Sequence, residues 1–136
     1  MQVQPYLDFG GRFDEAMAFY GQVMGAKVTF LMRYKDTPPG GGEPPSAAWA
    51  EKVMHANIQI GDSQIMASDG REGQTPAFSG FMLSVGYVPN AEGKRIFDAL
   101  SEGGQVIMPY QKTFWAEGFG MVVDKFKMTW MVNCEH

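Results

Sequence analysis

Cysteine is almost missing from this chain, with Cys134 alone among 136 residues. One thiol cannot close an intrachain disulfide, and without a CxxC pair there is no thiolate set for structural zinc or dithiol chemistry. A reducing cytoplasm is the expected compartment. Histidine is nearly as scarce, with His55 inside the chain and His136 at its end. Positive charge is in short supply: 11 Lys and Arg face 15 Asp and Glu, for a net charge of -4. The basic surface that tracks a phosphate backbone is therefore lacking, and no nucleic-acid partner is expected. No apolar run approaches the length of a bilayer span, and Met1–Pro5 lacks a basic segment leading into an apolar one. Neither secretion nor a membrane partner is expected.

What is present suits a folded interior: 45% of the residues are hydrophobic and 13% aromatic, enough to exclude disorder in a chain of single-domain length. Val3, Pro5, Leu7 and Phe9 alternate with Gln4, Tyr6 and Asp8, the period of a two-faced strand, with Pro5 favouring an edge or strand start. Phe13, Ala16, Met17, Tyr20, Val23 and Met24 recur at helical spacing, with Asp14 and Glu15 in the first turn and Gly25 as a stop. Val28–Tyr34 is β-rich. Thr37–Ser46, with four prolines and three consecutive glycines, predicts a long mobile loop. Val53–Ile60 and Gln64–Ser68 read as strands around a Gly61-Asp62-Ser63 turn, and Asp69–Gly80 reads as a polar linker.

The same order then restarts. Phe81–Val88 is strand-like, Asn90 is placed as an N-cap, Ile96, Phe97 and Leu100 mark a helix face, and Gly103-Gly104 ends it. An offset of 78 residues, from Gly25 to Gly103, also pairs Phe19 with Phe97, Val28 with Val106, Leu7 with Val85 and Phe9 with Tyr87. Gln105–Tyr110, Gly118–Val123 and Thr129–Asn133 supply three further strands. The predicted fold is α+β, a single domain over 1–136 built of paired β-α-β-β-β modules, module one at about 1–69, a linker at about 70–80 and module two at about 81–136. Neither half can cover a four-stranded sheet alone, so a curved, partly open sheet with a concave cleft is expected.

Several blocks carry a family resemblance: Pro5-Tyr6-Leu7-Asp8-Phe9, Glu15-Ala16-Met17-Ala18-Phe19-Tyr20, His55-Ala56-Asn57, Ile65–Asp69, Thr113–Gly120, and Asp124-Lys125-Phe126 with Trp130–Asn133. Together they resemble the PhnB-like branch of the vicinal oxygen chelate superfamily, the group of glyoxalase I, extradiol dioxygenases and bleomycin or fosfomycin resistance proteins. The resemblance runs nearly end to end and implies paired modules, often completed in a homodimer. Relatives usually carry Gly where this chain has Lys127, which leaves the geometry of that turn open. A methyltransferase label attached to the branch has no support in the sequence, which has no glycine-rich loop after a strand of the kind that holds a nucleotide or S-adenosylmethionine.

The superfamily's metal enzymes hold their ion with His or Gln and Glu on the first and last strands of each module. Here the first strand offers Gln2, Gln4 and Asp8, its counterpart Phe81–Val85 offers no good ligand, the fourth strand has Gln64 and Asp69, and the last has Asn133 and Glu135. The imidazole and carboxylate quartet is absent, so no catalytic metal and no cofactor are expected. Five residues are singled out as ligand-binding candidates. His55 is either a pocket anchor or base, or a strand histidine bonded to backbone. Asp69, at a strand end, could cap a turn. Arg33 could pair an anionic group or sit in a surface ion pair. Phe114 and Trp115, an aromatic pair on a loop, form either a plug or a pocket wall. Cys134 has no activating neighbour in sequence and reads as structural. The leading expectation is a small-molecule binding or sequestration protein. The rivals are an enzyme of lyase, isomerase or oxygenase type in the same cleft, and a purely structural module.

Overall fold

The computed structural model describes residues 1–38 and 45–135. Positions 39–44 of the predicted 37–46 loop, and His136, lie outside the described residues. Among the described residues two helices and eight strands run in the order β1 (Tyr6–Asp8), α1 (Phe13–Met24), β2 (Lys27–Arg33), β3 (Val53–Ile60), β4 (Ser63–Ser68), β5 (Leu83–Val85), α2 (Asn90–Ser101), β6 (Gln105–Gln111), β7 (Ala116–Val123) and β8 (Thr129–Glu135), with one 3-10 turn at Tyr34–Asp36. This is an α+β fold. The strands form two four-stranded mixed sheets, ordered β1-β4-β3-β2 and β5-β8-β7-β6, neither closed into a barrel. The chain divides into a first unit, Met1–Pro76, and a second, Ala77–His136.

In the first unit β1 runs parallel to β4, and β3 lies antiparallel to both β4 and β2. The strand expected over Val3–Phe9 is shorter, because Pro5 has no N–H to give the ladder. Its carbonyl still accepts from Met66 N at 2.9 Å. Leu7, Ala56, Ile58, Ile65 and Ala67 are buried along one face of the sheet, and α1 buries Phe13, Ala16, Met17, Phe19, Tyr20 and Val23. The helix ends where Gly25 takes φ 71° and its N–H reaches Gly21 O at 3.0 Å, a left-handed cap that a Cβ would penalise.

The second unit repeats this plan: β5 parallel to β8, β7 antiparallel to β8 and β6. Gly103, the offset partner of Gly25, has φ 73°. Val28 faces Ile58 and Val106 faces Val122, so the 78-residue offset holds through the third element of each unit. Two expectations are corrected. Asn90 is not the N-cap of α2 but its first helical residue, because Pro89 O already accepts from Gly93 N at 2.9 Å. The Phe9–Tyr87 pair also breaks: Phe9 is buried, with its N–H on Ser68 O, whereas β5 ends at Val85 and Tyr87 is fully exposed at φ 59°.

Lys127, where the family resemblance implies Gly, has φ 73°, so the turn keeps a glycine-like backbone without a glycine. What holds it is Asp124, 1% exposed. Its Oδ1 accepts from Phe126 N at 2.8 Å and Met128 N at 3.0 Å, and its Oδ2 from Trp130 Nε1 at 2.8 Å. Trp130, buried in the core, thus also joins the polar lock of this turn.

Candidate functional site

The first sheet has one face buried in its unit and one that is not. Because side chains alternate along strands, burial of Leu7, Ala56, Ala67 and Ile58 puts Tyr6, Met66, Asn57 and His55 on the opposite side. The register places Tyr6 beside Met66, Met66 beside Asn57, and Asn57 beside Phe30, so these four form one row across β1, β4, β3 and β2. His55 lies two residues from Asn57 on the same face, opposite Met32.

Hydrogen bonds join three of these side chains. Tyr6 Oη lies 3.0 Å from His55 Nδ1, and His55 Nε2 lies 3.0 Å from Asn57 Oδ1. An amide oxygen only accepts, so the neutral imidazole carries its hydrogen on Nε2, and Nδ1 accepts from the Tyr6 hydroxyl. The Tyr6 hydroxyl has a second acceptor, Met54 O, at 3.5 Å. The imidazole also sits between two rings, with centroids at 5.5 Å to Tyr6 and 6.1 Å to Phe30. Tyr6 and Phe30 are about half exposed. His55 is therefore held by side chains and not by backbone. The surface offers an aromatic and thioether floor with a few fixed polar groups, the make-up of a small-molecule site.

Asp69 is placed differently from an exposed linker residue. It is 2% exposed. Its Oδ1 accepts from Phe13 N and its Oδ2 from Val53 N, both at 2.8 Å. Arg12, the residue before α1, gives no side-chain cap, so Asp69 caps the helix from 56 positions away and ties it to the start of β3. Arg33 donates from Nη1 and Nη2 to the two carboxylate oxygens of Asp14, both at 3.2 Å, and from Nη1 to Glu51 O at 2.6 Å. The Asp14 hydrogen bond holds its guanidinium pKa above the usual value, against a smaller opposing effect of burial.

Phe114 and Trp115 lie in the second unit, on the connection from β6 to β7. Phe114 is 93% exposed and Trp115 41%. Their rings meet edge to face at 4.8 Å, and Trp115 meets Phe119 at 5.2 Å. Trp115 Nε1 donates to Asn133 Oδ1 at 3.2 Å. Cys134 is buried beside Tyr110, whose hydroxyl donates to Asn90 Oδ1 at 2.7 Å. Burial first, and then the hydrogen bond with Cys134, push the Tyr110 phenol pKa up.

Of the five candidates, then, His55, Asp69 and Arg33 belong to the first unit, and Phe114 and Trp115 to the second. Within the first, only His55 stands on the open face, next to that row. Sequence reasoning missed its partners Tyr6 and Asn57. Asn57 had a signal, since residues two apart on a strand share a face. Tyr6 had only its own alternation, because nothing local links positions 6 and 55. Among the described residues no group of three His, Cys, Asp or Glu is placed to hold a metal ion, and no helix is long and apolar enough to cross a membrane.

Residues 1–133 match the family model described as 3-demethylubiquinone-9 3-methyltransferase. Protein YjdN of Escherichia coli (strain K12) is 37% identical over 143 residues, covering 98% of this chain and 95% of that protein. Protein PA1353 from Pseudomonas aeruginosa superposes with a TM-score of 0.86 at 40% identity, covering 99% of this chain and 98% of that one. The glyoxylase/bleomycin resistance protein/dioxygenase domain from Frankia sp. EAN1pec shares the fold at a TM-score of 0.66 and 13% identity, over 100% and 98% of the two chains.

Proposed function

We propose, for a chain that belongs to the 3-demethylubiquinone-9 3-methyltransferase family, that it is a small-molecule binding or sequestration protein whose ligand lies on the open face of the first sheet. The observation that carries this reading is the hydrogen-bonded chain Tyr6–His55–Asn57 set among exposed Phe30 and half-buried Met66. Polar groups fixed at 3.0 Å on an apolar floor orient a ligand without competing for the core. His55 is the anchor. Asp69 is a positioning residue that fixes the start of β3 beneath it, and Arg33 braces α1 against β2. Phe114 and Trp115 offer the second unit's aromatic surface. Methyl transfer is not part of the proposal, since the sequence lacks the glycine-rich loop that would support it.

The protein works in the cytoplasm as a homodimer and without a catalytic metal. Support for the dimer comes from exposed apolar residues on edge strands, Val28, Phe30 and Leu31 on β2 and Val106, Ile107 and Met108 on β6, more than an isolated surface should leave in water. Equilibrium sedimentation at micromolar protein showing a single species near 15.1 kDa would remove this part. Elemental analysis of untagged protein tests the metal: a near-stoichiometric transition ion lost on mutating Gln4, His55 or Glu135 contradicts it.

Mass spectrometry of small molecules co-purifying with native protein tests the binding reading. A compound enriched with the wild type and depleted with His55→Ala is expected. Equal recovery from both proteins, or none from either, would refute the site.

A further inference from the structure

We infer that the Tyr6–His55–Asn57 chain is a proton-accepting relay, and that the ligand it selects is an apolar weak acid, a phenol or an enol, held as its anion. The inference rests on the binding reading above and adds the chemistry of the ligand. In its neutral form His55 presents Nε2–H to Asn57 Oδ1 and a lone pair on Nδ1 to the Tyr6 hydroxyl, each contact at 3.0 Å. A ligand hydroxyl docked on Tyr6 Oη gives its proton to that oxygen while the Tyr6 proton passes to Nδ1. The ligand O–H and the Tyr6 O–H break, and a new Tyr6 O–H and an Nδ1–H form. One anion and one imidazolium result, with no net gain or loss of protons.

Every hydrogen bond survives this shift, which is what sets the arrangement apart from an ordinary surface contact. Nε2–H keeps Asn57 Oδ1, and Nδ1–H donates back to Tyr6 Oη. The Tyr6 hydroxyl turns to the ligand oxygen, or to Met54 O at 3.5 Å when the ligand leaves. Charge-assisted hydrogen bonds then hold the anion on the row made by Tyr6, Met66, Asn57 and Phe30. Other charged groups on these strands are few. On β1, Asp8 Oδ1 accepts from Gly10 N. On β2, Lys27 stands opposite Gln59 and Arg33 is paired with Asp14. The sequences of β3 and β4 contain no Asp, Glu, Lys or Arg. An anion docked here therefore takes its counter-charge from His55.

The test uses 4-nitrophenol, coloured only as the phenolate, and 4-nitroanisole, its methyl ether with no proton to give, at a pH where free 4-nitrophenol is mostly protonated. Wild-type protein is expected to turn bound 4-nitrophenol yellow and to bind it at least about tenfold more tightly than the ether, the scale of a hydrogen bond to a charged group. Tyr6→Phe and His55→Gln should each abolish that preference, leaving the variant with equal affinity for 4-nitrophenol and the ether and with no yellow complex. Nitrogen NMR of the His55 ring gives a second readout that needs no variant. The free protein should show Nε2 protonated and Nδ1 bare, and the complex should show both protonated. Equal binding of the two compounds, a colourless complex, or an Nδ1–H ring in the free protein would overturn the relay and leave the binding reading standing. If neither compound binds, the ligand class and the binding reading fall together.

Discussion

The two units share one plan and differ on the face that the helix leaves open. Leu7 faces Ala67, which faces Ala56; Val85 faces Val132, which faces Gly120. By the same count Tyr6 corresponds to Ser84, His55 to Phe119 and Asn57 to Met121. The polar chain of the first unit is thus replaced in the second by a serine, a phenylalanine packed on Trp115, and a methionine. Buried carboxylates follow the opposite logic. In the first unit Asp69 ties a helix start to a strand start, and in the second Asp124 closes a hairpin. Duplication preserves backbone order with few identical residues, so chemistry diverges where side chains do not pack the core. It also lets each unit find its own polar lock.

The largest effects should come from removing those locks. Asp124→Ala leaves three buried donors without their acceptor and should lower stability by about 3–5 kcal/mol, against about 2–4 kcal/mol for Asp69→Ala with two. Urea unfolding checks both, and equal losses would erase the contrast. Next comes the tight packing specific to the second unit. Gly120 corresponds to buried Ala56, yet a Cβ there would lie 2.7 Å from Phe97 Cε2 and 3.0 Å from Tyr110 Cα. Gly120→Ala should therefore cost about 1–3 kcal/mol although its counterpart is already alanine, as thermal unfolding would show.

A gain is expected at the hairpin that Asp124 closes. Lys127→Gly removes a Cβ from a left-handed backbone and should stabilise by about 1 kcal/mol, read as a raised Tm. An unchanged Tm would mean that the Asp124 contacts already offset the strain. His55→Gln should change stability by less than about 0.5 kcal/mol, because its contacts lie on the open face, while ligand binding falls.

The smallest effect is alkaline. Burial raises the Tyr34 phenol pKa and, with Cys134, that of Tyr110. A phenol raised on folding contributes stability that is fully present below its unfolded value and is lost as pH rises through the folded one. Unfolding followed upward from about pH 10, the unperturbed phenol value, should show declining stability. The decline should be shallower in Tyr110→Phe and in Tyr34→Phe, each reporting its own unit.

Much of the fold was legible in the chain because its signals are local. Helical spacing from Phe13 to Val23, and Gly25 and Gly103 at matching offsets, give helix faces and stops without tertiary information. Where the chain misleads, tertiary partners override local cues. Asp69 sits among polar linker residues, but its role is to meet Phe13 and Val53. Asn90 resembles a cap, but its side chain answers Tyr110. The candidate site was legible only as a lone histidine. That Asn57 shares its face follows from strand period, whereas Tyr6 reaches it through β1 pairing with β4, a long-range register no local pattern encodes.

The most direct test of the central claim, that the ligand face belongs to the first unit, is backbone and side-chain NMR of the protein with and without the small molecule recovered from it. Ligand-induced shifts should concentrate at Tyr6, Phe30, His55, Asn57 and Met66, and disappear in His55→Gln. Shifts concentrated instead at the matching positions Ser84, Phe119, Met121 and Met131, with the first set unmoved, would contradict it.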